Sequence, residues 1–361
     1  MEELKFTRLR RLIALESSSV ALTAYLPVIA ESELDSKKIG KIQEKAEKAL
    51  SKVTDLREAE NFRTNLDYAI NILLEEKYTD GTWVIAATPT TAEAIFVPFL
   101  FDERVEVAKK LNVADVVYAF YRIEKHFVAL LSENVARFYE CIGDRLFSVS
   151  TPPIVKEALH QLQKARQQLQ GSAGAGDMHY QQLFGQMARS AFQMALVKYE
   201  DELATLARHY GLQEGYPIIL AGDERLIQAI ADKTSLTQGL TKISGIYELT
   251  PPEQLLQYVR QHIEYQRTLL LQAYKPFLDY SDPQAPQDIW TVLQDSQTAG
   301  RPILFVAEGY TFPAKELIGA KRGLPTNDAV NLIVEKVREK GGEVIFLPSS
   351  ELPSPMVLLV P

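Results

Sequence analysis

Between two glutamine-rich segments of helical character the chain places Gly171-Ser172-Ala173-Gly174-Ala175-Gly176-Asp177, followed by Met178-His179. Glycines among small residues have three chemical uses: a phosphate cradle, a hinge, or a probe narrow enough to enter another molecule's site, since glycine carries no Cβ to hold a neighbour off. A P-loop cradle requires GxxxxGK[S/T] after a strand, so that backbone N–H groups surround the anion and a lysine neutralises it. Here helical sequence precedes the glycines, no Lys-Ser or Lys-Thr follows them, and no Rossmann fingerprint occurs elsewhere. The flanks are basic. Within 156–198, Lys156, Lys164, Arg166, Arg189 and Lys198 are set against only Glu157 and Asp177. Such cations either contact phosphates, which positions a protein without reading sequence, or form a solvated helix face. Asp177 is a candidate N-cap for the following helix, and beside it His179 is a candidate for chemistry.

Other chemistry finds little support. A metal-dependent nuclease needs carboxylates at strand ends to hold its ions, and the strand Phe127–Leu131 has no acid. Asp223 and Glu224 are adjacent and suit a helix N-terminus, where the dipole favours negative charge. Cys141 is the single cysteine, so no intrachain disulfide or multi-cysteine zinc site forms, and beside a turn it reads as a small packed residue. His126, His160, His179, His209 and His262 make no HExxH and no short-spaced pair. No metal, no cofactor and no catalytic residue is expected.

The elements that must position the glycine tip follow from periodicity. A strand over 19–28 precedes a lysine-rich helix with Ile39, Ile42, Ala46 and Leu50 at 3–4 spacing, then a helix over about 57–76. TWVIAA and EAIFVPF pair around TPTT, closing an N-terminal α/β domain at 1–125. HFVALL, NVARFYE and RLFSVS form an antiparallel meander with Gly143-Asp144 at its second turn. Pro152-Pro153 starts a helix to Gln170, the tip loop covers 171–179, and a second helix runs to about Tyr210 with Leu183, Met187, Ala191, Ala195 and Val197 as its apolar side. A YPIILAG strand, a DERLIQAIAD helix, an LTKISGIYEL strand and a helix from Pro251-Pro252 to about Gln272 complete 126–280, an order expected of an RNase H-like domain. Residues 281–361 read as a C-terminal α/β/α layer: a helix near 288–298, strands RPILFVA, GEVIFLP and PMVLLVP, and a helix NDAVNLIVEKVREK stopped at Gly341-Gly342 by left-handed backbone. The predicted class is thus α/β with α+β elements, in three domains.

The totals set limits on partners. Of 361 residues, 46% are hydrophobic and 24% charged, the balance of a globular protein. Net charge is −8, and no third is basic: 18 basic against 21 acidic residues in 1–125, 13 against 15 in 126–270, and 8 against 11 in 271–361. This disfavours a DNA binder that coats its ligand. No apolar run reaches the roughly 18–20 residues of a membrane span, and the N-terminus lacks a signal-peptide core, so a cytoplasmic protein without a membrane partner is expected.

AYLP with its lysine-rich helix, WVIAATPTTAEAIFVPF, the meander HFVALLSENVARFYECIGDRLFSV, YPIILAGDERLIQA and TNDAVNLIVEKVREKGGEVIFLPSSELP occur in an order that resembles the archaeo-eukaryotic release factor and Pelota superfamily, in its bacterial, Balon-like hibernation-factor branch. The resemblance implies a C-terminal domain similar to ribosomal protein L7Ae. It also implies a protein that enters the ribosomal A site as a tRNA does, with its middle-domain tip near the rRNA of the peptidyl-transferase centre. A translational GTPase or the ribosomal stalk base is the partner it offers the last domain. Release factors carry Gly-Gly-Gln at this tip, and the glutamine helps water attack the peptidyl-tRNA ester. Here Gly174-Ala175-Gly176-Asp177 has no glutamine, as in Pelota-like members, which occupy the site without cutting. The ribosome-contacting set so implied is Gly171, Gly174, Ala175, Gly176, Asp177, His179, Lys156, Lys164, Arg166 and Arg189. Two readings stay open beside it: a peptidyl-tRNA hydrolase using Gln181 or His179, and a non-ribosomal adaptor. No NIKS-like motif occurs, which argues against stop-codon reading.

Overall fold

The computed structural model describes residues 3–15, 17–29, 36–75, 78–123, 125–171, 178–236, 239–245, 247–280, 292, 302–307, 310, 330, 333–334, 336–337, 340, 342–347, 352 and 354–359. The chain divides into two compact units, Met1–Thr7 with Glu124–Gln266 and Arg8–Ile123 with Arg267–Pro361.

In the stretch from Arg8 to Ile123 a four-stranded antiparallel sheet runs in the order β3-β2-β1-β4, with β1 Ala21–Val28, β2 Gly81–Ala87, β3 Ala92–Val97 and β4 Arg104–Ala108. Strand β1 is flanked on both edges, pairing Leu22 with Ala87 on β2 and with Val107 on β4. Both edges are thus hydrogen-bonded, and separately all of its residues but Pro27 are buried, which fits its near-continuous apolar run. Helix α1 (Lys5–Ile13) precedes β1, α2 (Ser36–Leu50) and α3 (Leu56–Glu75) follow it, and α4 (Ala114–Arg122) ends the segment. Glu93 on β3 holds both Arg8 and Arg11 of α1, the latter at 2.6 Å. The sequence reading anticipated β1, β2, β3, α2 and α3 but not α1, β4 or α4. RVEVA is short and carries three charged or small residues among five. It is a strand because β1 offers it an edge.

Glu124–Gln266 builds a five-stranded mixed sheet in the order β7-β6-β5-β8-β9. The meander is β5 Lys125–Leu131, β6 Ala136–Ile142 and β7 Arg145–Val149, and β8 Ile218–Gly222 and β9 Leu240–Ser244 run parallel to β5. Counted from β5 the order is 3-2-1-4-5, with the second strand alone reversed. Gly143 turns the β6–β7 hairpin at φ 55°, and Cys141 beside it is buried, its Sγ 3.7 Å from the Gly143 carbonyl. On one sheet face Val128, Leu130, Tyr139, Cys141, Ile219 and Ala221 pack with Leu255 and Val259 of α8 (Pro252–Tyr280). On the other, Phe127 stacks on Tyr210 with ring centroids 4.0 Å apart. Gly222 ends β8 at φ 144°, where a Cβ would stand 1.8 Å from the Leu131 carbonyl oxygen, so only glycine closes the β5–β8 pair. Asp223 caps α7 (Glu224–Thr234), its Oδ1 accepting from Leu226 N at 3.0 Å, as its position predicts. The LTKISGIYEL strand stops at Ser244, and α8 runs past Gln272 to Tyr280.

The C-terminal strands β10 Ile303–Ala307, β11 Glu343–Leu347 and β12 Met356–Leu359 form a sheet in the order β11-β10-β12, parallel then antiparallel, around Phe305, Ile345, Leu347 and Val357. Residues 281–291, 293–301 and most of 308–341 lie outside the described residues, and with them the helix expected near 288–298. Of the Gly341-Gly342 pair expected to stop the preceding helix, Gly341 lies outside the described residues; at Gly342 the backbone is not left-handed, and a Cβ would come within 2.4 Å of the Pro302 carbonyl oxygen, so close approach favours glycine there.

Candidate functional site

Helices α5 (Pro153–Gly171) and α6 (Met178–Arg208) form the antiparallel hairpin that carries the glycine-rich segment. Pro153 opens α5 where its missing N–H has no helical partner to lose, and Val155, Ala158, Leu162 and Ala165 are its buried stripe. Lys198 Nζ donates to Gln161 Oε1 at 3.1 Å, which places residue 161 opposite 198. From there α5 rises about 15 Å to its end at Gly171, whereas α6 extends about 30 Å back to its start at Met178, at 1.5 Å per residue. The longer arm of the hairpin is therefore α6.

The β5–β6 turn fixes the base of the hairpin. Ser132 Oγ accepts from Asn134 N and Val135 N, both at 3.0 Å, shaping the turn. Gln163 Nε2 donates to Asn134 O at 2.9 Å and Arg166 Nη1 to Asn134 Oδ1 at 3.0 Å, with Glu133 3.6 Å from the same guanidinium nitrogen. From α6, the buried Tyr199 hydroxyl donates to Ser132 O at 3.2 Å, and burial raises its pKa well above the usual phenol range. Both helices thus grip one tight turn.

This geometry sorts the basic residues singled out from the sequence. Lys156, Lys164 and Arg189 are exposed, with no ion-pair partner among the described residues. Arg166 is half-buried and engaged with Asn134 and Glu133, so its role includes anchoring the hairpin. Gly171 is exposed at the end of α5, with nothing within 4 Å of a Cβ built there. Gly174, Ala175, Gly176 and Asp177 lie outside the described residues. His179 and Gln181 fall within α6, and their side chains lie outside the described part.

The apolar side expected for α6 is corrected. Met187 is 62% exposed and Val197 48%, with Phe184 and Met194 exposed as well, while Leu196, Tyr199, Leu203, Leu206 and Ala207 are buried. Leu183 lies outside the described side chains. A 3.6-residue period reveals a stripe but not which stretch of it finds cover; among the described side chains of α6, the buried ones lie from Leu196 onward. Of these exposed residues, Met187 and Val197 are the ones the sequence reading places on the apolar side; it singles out neither Phe184 nor Met194. Among the described residues no group of His, Cys, Asp and Glu could hold a metal ion, and no helix is long and apolar enough to cross a membrane.

No family model matches the sequence, and no curated protein matches it. Among solved structures the chain is similar to the archaeal translation termination factor aRF1, at 15% identity over 96% of this chain and 92% of that one, with a TM-score of 0.26. It is also similar to Pelota of Archaeoglobus fulgidus (8% identity, 79% and 80% covered, TM-score 0.25) and of Thermoplasma acidophilum (9%, 97% and 88%, 0.25). At scores this low, the functional reading rests on the chain's own residues.

Proposed function

We propose that this protein is a ribosome-binding factor of the release-factor and Pelota type, which occupies the A site of idle or stalled ribosomes, in hibernation or rescue, and releases no peptide. The observation that supports it most is the α5–α6 projection, with exposed Lys156, Lys164 and Arg189 and solvent-facing Phe184, Met187 and Met194 on a chain of net charge −8. On an acidic chain, a cationic and partly apolar arm favours docking of RNA by that arm, because the net negative charge opposes contact over most of the remaining surface. Its contact is the rRNA near the peptidyl-transferase centre, and a translational GTPase is the second partner proposed. The absence of glutamine after Gly174-Ala175-Gly176 supports occupation without hydrolysis.

The experiment is co-sedimentation of the full chain with vacant bacterial ribosomes across a salt series, with and without a translational GTPase. Binding that weakens with salt and is lost in the triple variant K156E/K164E/R189E is the expected result. A wild-type chain that stays at the top of the gradient at low salt in both conditions would overturn the proposal and favour a non-ribosomal adaptor. Peptide release from loaded ribosomes is expected to be absent; release that disappears on Q181A or H179A would replace the non-enzymatic reading with a hydrolase.

A further inference from the structure

We infer that the cleft beside the C-terminal end of α2 binds a compact polyphosphate ligand of the nucleoside di- or triphosphate class. This cleft lies wholly within Arg8–Ile123 and does not depend on the ribosomal reading. It measures about 600 Å³ and has lysines 45, 48, 52 and 109 on its wall, a size suited to one small organic ligand.

The lysines come from a single device in the sequence. Lys38, Lys41, Lys45, Lys48 and Lys52 follow one another at spacings of three and four, so they form one stripe along α2 and the turn that extends it. The two halves of that stripe differ. Lys38 donates to the Pro27 carbonyl at 3.0 Å, Lys41 to Glu103 at 2.9 Å, and Lys45 to the Val105 carbonyl of β4 at 2.6 Å. Lys48 and Lys52 are exposed, and neither has a partner for its ammonium among the described residues. Lys109, just past β4, adds a third such ammonium to the same cleft. Three unpaired cations around one concavity repel each other, and a polyanion relieves that repulsion.

Two further features select the ligand. The first half of the stripe is tied down by Glu103 and two backbone carbonyls, so the ammonium groups left for a ligand lie at the end of α2 and around the cleft, which favours a compact anion over an extended strand. The remaining wall is apolar: Val20 is buried, and Val53 and Val107 are half-buried. Such a surface takes the flat face of a base. Two acidic residues, Asp55 and Glu58, also line the cleft; Asp55 is occupied in part as the cap of α3, its Oδ1 accepting from Arg57 N at 2.9 Å and Glu58 N at 3.2 Å.

The test is calorimetric titration of the full chain at low salt with ATP, GTP, inorganic tripolyphosphate and a short single-stranded RNA. Submillimolar binding of at least one nucleotide is expected, weakened about tenfold or more in K48A/K52A/K109A and unchanged in K110A, whose site is outside the cleft. Equal thermal melts for the three proteins separate lost binding from lost folding. No heat with either nucleotide at about 1 mM, or equal weakening by K110A, overturns the inference. Tripolyphosphate binding as tightly as ATP removes the apolar wall's role and overturns the nucleoside class, and RNA binding in the absence of nucleotide binding overturns the compact-ligand reading.

Discussion

His126 shows how one buried atom changes the chemistry of a residue. It sits on β5 opposite Cys141, intermediate in overall exposure, yet its Nδ1 is buried without a hydrogen-bond partner among the described residues. Burial, and then the charge of Lys125, push its pKa down from 6.5 to about 4. The folded state therefore resists a proton that the unfolded chain takes up below about 6.5. Stability contributed by the neutral ring is whole above that pH and is lost as pH falls towards 4, by on the order of 2–3 kcal/mol. Urea unfolding at pH 7.5 and 4.5 is expected to show a smaller pH-dependent loss for His126→Phe than for the wild type; equal losses would assign the acid sensitivity to other groups. Glu140 works in the opposite sense. It is fully buried, desolvation raises its pKa, and it is held by Lys5 N at 3.1 Å and the Tyr216 hydroxyl at 2.7 Å. Neither residue had any sequence signal, because solvation depends on neighbours distant in the chain.

Among the elements, α6 separates the two roles one helix can hold. Its C-terminal part contributes Leu203 to the core, whereas Met187 and, at its middle, Met194 are exposed. Leu203→Ala is expected to cost about 2–5 kcal/mol through lost burial and the cavity left behind, while Met187→Ser and Met194→Ser shift stability by no more than about 0.5 kcal/mol. Chemical denaturation of the three variants checks this. A large loss at either methionine would mean that the arm is covered in solution. Periodicity alone placed Met187 and Val197 in the core; the helix was legible, but the length of its neighbour decided which face was buried.

For the whole molecule, charge is the controlling quantity. At net −8 with cations concentrated on the hairpin and in the α2 cleft, the chain is expected not to shift random-sequence duplex DNA at physiological salt, and a gel shift checks this. If the hairpin contacts rRNA phosphates, each exposed cation that docks releases counterions. Replacing Lys156, Lys164 and Arg189 by alanine is then expected to reduce the slope of log K against log salt for ribosome binding by about two to three. An unchanged slope would move the interface to another surface.

Sequence alone determined most of the strands, their hairpins and the glycine-rich break, since these follow from local patterns: short apolar runs bounded by turn residues in the meander, Gly143 at its turn, Asp223 before α7, and the prolines opening α5 and α8. It also determined that no metal-ligand or nucleophile motif is present, because those depend on residue types and spacing. Tertiary structure decided the rest. Strand β4 exists because β1 has a free edge. Gly222 and Gly342 are glycines because another backbone comes within van der Waals reach. Lys38, Lys41 and Lys45 are engaged while the Lys48 and Lys52 ammonium groups have no partner among the described residues, although all five share one stripe. Burial, pairing and solvation are properties of proximity, and proximity between distant residues is created only when the chain folds.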